Sequence, residues 1–169
     1  VTVAETTKLW ATGTLNLDGG SLTTGFFDNS DGGTLNFNSG ALWVNGASGG
    51  FNPGTADFTI DGATPTDLPE LVIAGTASAT LAEQLYVGYI NQGALRVQAG
   101  GVVSDAYGGV GTNSGSTGMV TVTGENSTWS NSGNLHIGGN EWHTTPVGGT
   151  GTVSVLDSGL GTASGTTNL

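Results

Sequence analysis

The sequence predicts an all-β fold in the form of a parallel β-solenoid, or β-helix, and three observations lead there. First, a short phrase recurs: GTLNLDGGSL from Gly13, GTLNFNSGAL from Gly33, GALRVQAGGV from Gly93, GMVTVTGENS from Gly118 and GTVSVLDSGL from Gly151. Recurrence on this scale marks stacked units, none of which buries its apolar face without a neighbour. Second, apolar residues alternate with small or polar ones at period two, the pattern of short strands with one buried face. Third, no window shows a convincing helical period; Ala77 to Tyr86 is the only helix-tolerant stretch.

Taken in order, the chain starts with a strand-like Val1-Thr2-Val3. The alternating pairs that follow are Leu15/Leu17, Leu35/Phe37, Leu42/Val44, Phe58/Ile60, Leu85/Val87, Leu95/Val97, Val120/Val122, Leu135/Ile137 and Val153/Val155. Each marks one strand. Between them, Gly and Asn/Asp/Ser clusters such as 28–33 and 113–115 supply sharp corners. Thr14, Thr34, Asn16 and Asn36 stand at matching positions and suit outward ladders.

Two repeat styles are separable. Residues 13–62 carry units of about 20 residues of the form T-L-N-Φ-x-x-G-x-L, with Φ apolar, and residues 85–169 carry longer units that begin Φ-x-Φ-G. A joint is expected over 63–84, and residues 1–12 form an amino-terminal strand-like segment. Strands this short are unstable alone, but coils stacked about 4.8 Å apart pair every backbone group with the next coil. At roughly 20 to 25 residues per coil the chain makes about seven coils, a rod of about 35 Å at that spacing.

Composition bounds the function. Leu, Ile, Val and Phe are 38 of the 169 residues, just above the roughly 20% below which a charged chain stays disordered; disorder is the alternative, and the regular apolar spacing argues against it. Gly is frequent but not at every third position, which excludes collagen. Lys8 and Arg96 are the only Lys and Arg residues, against 13 carboxylates, a net charge of −11. Binding to phosphate backbones or anionic membranes is thereby electrostatically opposed, and nucleic acid is ruled out as a partner. No stretch reaches the roughly 18 apolar residues of a membrane span. Cysteine is absent, so neither disulfides nor thiolate metal sites are available. The chain starts at Val1 and reads as a mature or excised part of a longer exported precursor.

The second part resembles a known group of repeats. Leu85 to Val103, Val110 to Trp129 and Leu135 to Leu160 carry the pattern L-x-V-G, G-x-L-x-V-x-x-G-G-x-V and V-G-x-x-x-G-S-x-G-x-V-x-V-x-G-x-x-S-T-W. This is similar to repeats of large bacterial surface proteins of the autotransporter and PEP-CTERM-associated kinds, and the first part resembles autotransporter-associated strand repeats more weakly. The resemblance implies a right-handed solenoid, an extracellular or cell-surface location, a structural or adhesive role, and no catalytic residues to carry over. The loop 139–149 is longer than in such repeats.

Both ends of a solenoid expose unpaired strand edges. The expected function is therefore a structural subunit that assembles with itself, end to end or by strand exchange, into a filament or matrix, with Val1, Val3, Leu9 and Trp10 as the contact. A passenger region of an adhesin is the alternative, with Trp142 and Trp43 stacking on glycan rings, although Trp43 and Trp129 also suit packing over coil corners. A polysaccharide-degrading β-helix enzyme is the third reading; carboxylate pairs such as Asp57/Asp61 or Asp28/Asp31 look no different from turn residues, and no catalytic residue or cofactor is assigned. His136, Glu141 and His143 are close in sequence but lack a zinc-enzyme pattern. Calcium over 28–32 is a further possibility, against the simpler reading of an Asx turn. Asn126 opens the only N-x-S/T glycosylation sequence.

Overall fold

A computed structural model describes residues 1–46, 50–55, 57–139 and 148–168. Its strands are β1 (Thr2–Lys8), β2 (Thr14–Leu17), β3 (Ser21–Asp28), β4 (Thr34–Phe37), β5 (Gly40–Val44), β6 (Gly50–Asn52), β7 (Phe58–Ile60), β8 (Pro69–Ala74), β9 (Ser78–Thr80) and β10 (Gln84–Val87), followed by β11 (Gln92–Gln98), β12 (Val102–Asp105), β13 (Tyr107–Val110), β14 (Thr117–Thr123), β15 (Thr128–Asn131), β16 (Leu135–Ile137), β17 (Thr150–Leu156), β18 (Leu160–Ala163) and β19 (Thr167–Asn168). All nine alternating apolar pairs fall on strands, and no helix occurs among the described residues. The helix-tolerant stretch at 77–86 holds β9 and the start of β10 instead: its apolar Ala79, Leu81 and Leu85 are needed in the core.

Every strand pairing among the described residues is parallel. Parallel neighbours cannot be joined by a tight hairpin and need a crossover. Here the crossovers are themselves strands, because from β5 onward each strand pairs with the third strand after it. The largest sheet runs β17-β14-β11-β8-β5-β3 and then returns β3-β6-β9-β12-β15-β18, with β1 on β3. The eight-residue β3 spans the fold of this sheet: Leu22 and Thr24 pair with β5, Phe27 and Asp28 with β6. A third face holds β7, β10, β13, β16 and β19, and β2 pairs with β4. The sheets thus form a nearly closed, barrel-like wall around one core.

The stretch 63–84 contains β8 and β9, and both pair on both sides, β8 with β5 and β11, β9 with β6 and β12. The two repeat styles are therefore joined by an unbroken sheet.

Register aligns the inward residues in columns. Leu22, Leu42, Leu71, Leu95, Val120 and Val153 form one column. Phe27, Phe51, Ala79, Val103 and Trp129 form another. In the second column Phe27 stacks on Phe51 with ring centroids 5.6 Å apart, and Phe51 meets Phe58 edge-on at 4.8 Å.

The repeated glycines meet at one corner. Gly111, at φ +65°, leaves β13, and Gly118 lies in β14. A Cβ on Gly118 would collide with Val87 O and with the Gly111 amide. Gly88 with Gly93, and Gly138 with Gly151, make the same contact. The Φ-x-Φ-G and G-x-Φ-x-Φ phrases are thus two sides of one backbone contact that only glycine permits.

Candidate functional site

Exposed apolar side chains gather at both ends of the largest sheet. At the amino-terminal end β1 is an edge strand on β3, and the Val1 ammonium donates to Ser21 O at 2.8 Å. A cavity of about 510 Å3 opens there, lined by Val1, Val3, Leu15, Leu17 and Leu22 among others. Val1 is 86% and Trp10 65% exposed, whereas Val3 is half-buried and Leu9 is buried in the core. Leu9 is held there because its side chain fills the space above Gly13 and Gly33. Only part of the sequence-expected contact set is therefore open. At the opposite end β17 and β18 are edge strands, and Val155, Leu156 and Leu160 are exposed.

Lys8 organises the carboxylates considered for calcium. Its Nζ lies 2.9 Å from Asp28 Oδ2 and 3.1 Å from Asp31 Oδ2, donates to Ser30 Oγ, and sits 5.0 Å from the centre of the Trp10 ring. Asp28 Oδ1 accepts the Ser30 amide, an Asx turn. The Lys8 ammonium, with the Ser30 bonds, holds the Asp28 carboxyl down to about 2. The ammonium occupies the position a cation would take between these carboxylates.

The other carboxylates considered are backbone caps. Asp57 Oδ1 accepts the Gln84 amide, and Asp61 accepts the amides of Tyr89, Ile90 and Asn91. Among the described residues no group of three His, Cys, Asp or Glu side chains is placed to hold a metal. His136 lies on β16, with Nδ1 3.2 Å from Asn168 Nδ2. Glu141, Trp142 and His143 lie outside the described residues.

Trp43 is half-buried on the outer face of β5, in register with Thr23 and Val72. Beside this row runs a groove of about 650 Å3 with Gly20, Ala41 and Ala94 among its lining residues, together with Glu70, Arg96 and Met119. Arg96 Nε donates to Glu70 Oε1 at 3.0 Å across it. Asn126 is exposed in a turn at φ +64°, beside a Ser127 that accepts the Gly100 amide and donates to Thr123 O.

Sequence reasoning did not find one buried polar cluster. Trp129, expected over a corner, is 1% exposed in the interior, where its Nε1 donates to Asp105 Oδ2 at 3.1 Å. The signal was present: Val103/Asp105 and Trp129/Asn131 are period-two pairs, which puts a carboxylate and an amide on the inward side.

Comparison with family models, curated proteins and solved structures gave no match. The fold and these sites define an all-β, parallel-stranded protein with unpaired sheet edges at its two ends. No helix among the described residues is long and apolar enough to cross a membrane.

Proposed function

We propose that this chain is an extracellular structural protein of a bacterial surface, a right-handed parallel β-solenoid of about seven coils that stacks on further copies of itself into a filament or matrix. The observation that carries the reading is the continuous parallel pairing from β1 to β17, with an unpaired edge at each end of the same sheet. An incoming β1 edge offers β17 the same kind of ladder that β17 makes with β14. Such head-to-tail contact does not close on itself and generates open filaments. Right-handedness follows from the strong preference of parallel crossovers. The resemblance to autotransporter and PEP-CTERM-associated repeats agrees with surface location. So does an exterior in which charged residues are only 9% of the chain.

Electron microscopy with sedimentation over a concentration series tests it. Unbranched filaments that disappear on Thr2→Pro, which removes an amide facing away from β3 and forces a new backbone angle, are the expected result. A monodisperse monomer at the highest concentration refutes the assembly. A glycan-binding passenger region is the second reading, favoured by the groove between Ala41 and Met119 beside Trp43. Glycan-array binding lost on Trp43→Ala in a folded monomer would favour it. The role given to Trp142 is tested by the same array.

A further inference from the structure

Alternation and register place a carboxyl group inside the wall with no cation near it among the described residues. Asp105 on β12 is 4% exposed and aligns with Asn131 on β15, 2% exposed; Val103 aligns with Trp129 in the same pair of strands. The indole reaches diagonally to Asp105 Oδ2. Asp105 Oδ1 and both Asn131 side-chain polar atoms have no partner. Room for this cluster comes from Gly108 on β13, where a Cβ would collide with Asn131 Oδ1 and lie 3.0 Å from Trp129 Cζ2.

The inward neighbours on every packed element are uncharged: Ala79 and Leu81 at β9, Trp129 and Asn131 on β15, Gly108 on β13 and Leu135 on β16. Across the core, β8, β11 and β14 present Leu71, Ile73, Leu95, Val97, Val120 and Val122. Glu83, whose carbonyl accepts the Ala106 amide, and Tyr107 are exposed, and His136 is paired with Asn168. An ionised carboxylate with a single bond from a neutral indole is costly in such a place.

We propose that Asp105 and Asn131 form a proton-binding site inside the fold, in which Asp105 is carried as the neutral acid and its Oδ1–H donates to the Asn131 amide oxygen. One proton then turns an orphaned acceptor into a donor for the orphaned acceptor one strand away. Burial pushes the Asp105 carboxyl up to about 7, and the Trp129 bond opposes this only in part. The folded chain therefore holds a proton that the unfolded chain, titrating near 3.8, releases. The stability that this proton contributes is complete below about pH 4 and is lost as pH rises towards about 7, beyond which it no longer changes.

Thermal unfolding of the wild type and of Asp105→Asn between about pH 5 and about pH 8 tests the site. The asparagine keeps the shape, accepts from Trp129 through Oδ1 and donates to Asn131 through Nδ2. The expected result is a wild-type midpoint that falls across this range while that of Asp105→Asn does not follow it. Parallel pH profiles of the two proteins overturn the proposal. If the variant does not fold, carbon-13 carboxyl NMR of the wild type decides. An Asp105 titration midpoint above about 6 supports the site, and one at or below that value overturns it.

Discussion

The amino-terminal strands β1 to β4 and the later strands β11 to β19 stack in the same parallel way but place a stacked Asn/Asp pair on opposite sides of the wall. In the first region an Asn sits over an Asp on the outside: Asn38 Nδ2 donates to Asp18 Oδ1 at 2.6 Å, and Asn36 does the same to Asn16 Oδ1 at 2.7 Å. In the second region Asn131 sits over Asp105 on the inside, where alternation has turned both inward. Outside, solvent completes what the ladder leaves unmade. Inside, each unmet group carries its full desolvation cost, and the aromatic Trp129 is recruited as the one donor. The same two residue types therefore form a surface ladder or a buried site according to a single step of strand phase.

The largest effect is expected from breaking the buried arrangement. Trp129→Ala removes a fully buried indole and, among the described residues, the only hydrogen bond to the Asp105 carboxyl group. It should cost about 3–5 kcal/mol from the cavity, and more at neutral than at acid pH, because the carboxylate loses its one donor. Chemical denaturation at two pH values measures both, and an equal loss at each would show that the indole bond is irrelevant to the charge. Next comes the glycine corner, which the amino-terminal repeats lack in this form. Gly118→Ala drives a Cβ against Val87 O and the Gly111 amide, an overpacking cost of about 1–3 kcal/mol. Gly20→Ala serves as the control, since a Cβ there meets nothing within 4 Å. Equal destabilisation by both substitutions would contradict the corner as described.

Much of the wall was legible in the sequence because period two survives even in strands of three or four residues such as β7 and β10. Leu15/Leu17 through Val153/Val155 could be read as strands from alternation alone. The outward Asn16/Asn36 ladder was legible for the same reason, since identical residues at identical offsets stack. What alternation cannot supply is continuity: a proline at 69 gives no sign of sheet, yet Pro69 starts β8 without interrupting pairing, because a strand's first residue need not donate to the ladder. It also gives no size matching across the core. Ala79 lies between Phe51 and Val103 in one column, and nothing local to 77–86 reveals that the neighbouring aromatic fills the space. The carboxylates at 28–31 illustrate the third limit, because their partner Lys8 lies 20 residues upstream and only the β1/β3 pairing brings it near.

That lysine sharpens the comparison from the surface side and gives the smallest effect. Asp28 is held down to about 2 from 3.8, mainly by the Lys8 bond and then by Ser30. Its folded-state value is depressed, so its contribution is present above about pH 4 and is lost as pH falls towards about 2. Lys8→Met keeps the apolar stem along β1 and removes the ammonium. The variant should match the wild type near pH 2 and melt slightly below it near pH 5, a small difference that added salt reduces because the ion pair is partly exposed. The sign is opposite to that expected of Asp105, whose contribution is lost on the alkaline side. Stability should then peak in mildly acid solution, between the loss of an outer carboxylate's charge and the loss of an inner carboxyl's proton. A wild-type melting profile that rises steadily from about pH 4 to about pH 8 would show that surface pairs, and not the interior carboxyl, set the pH response of this fold.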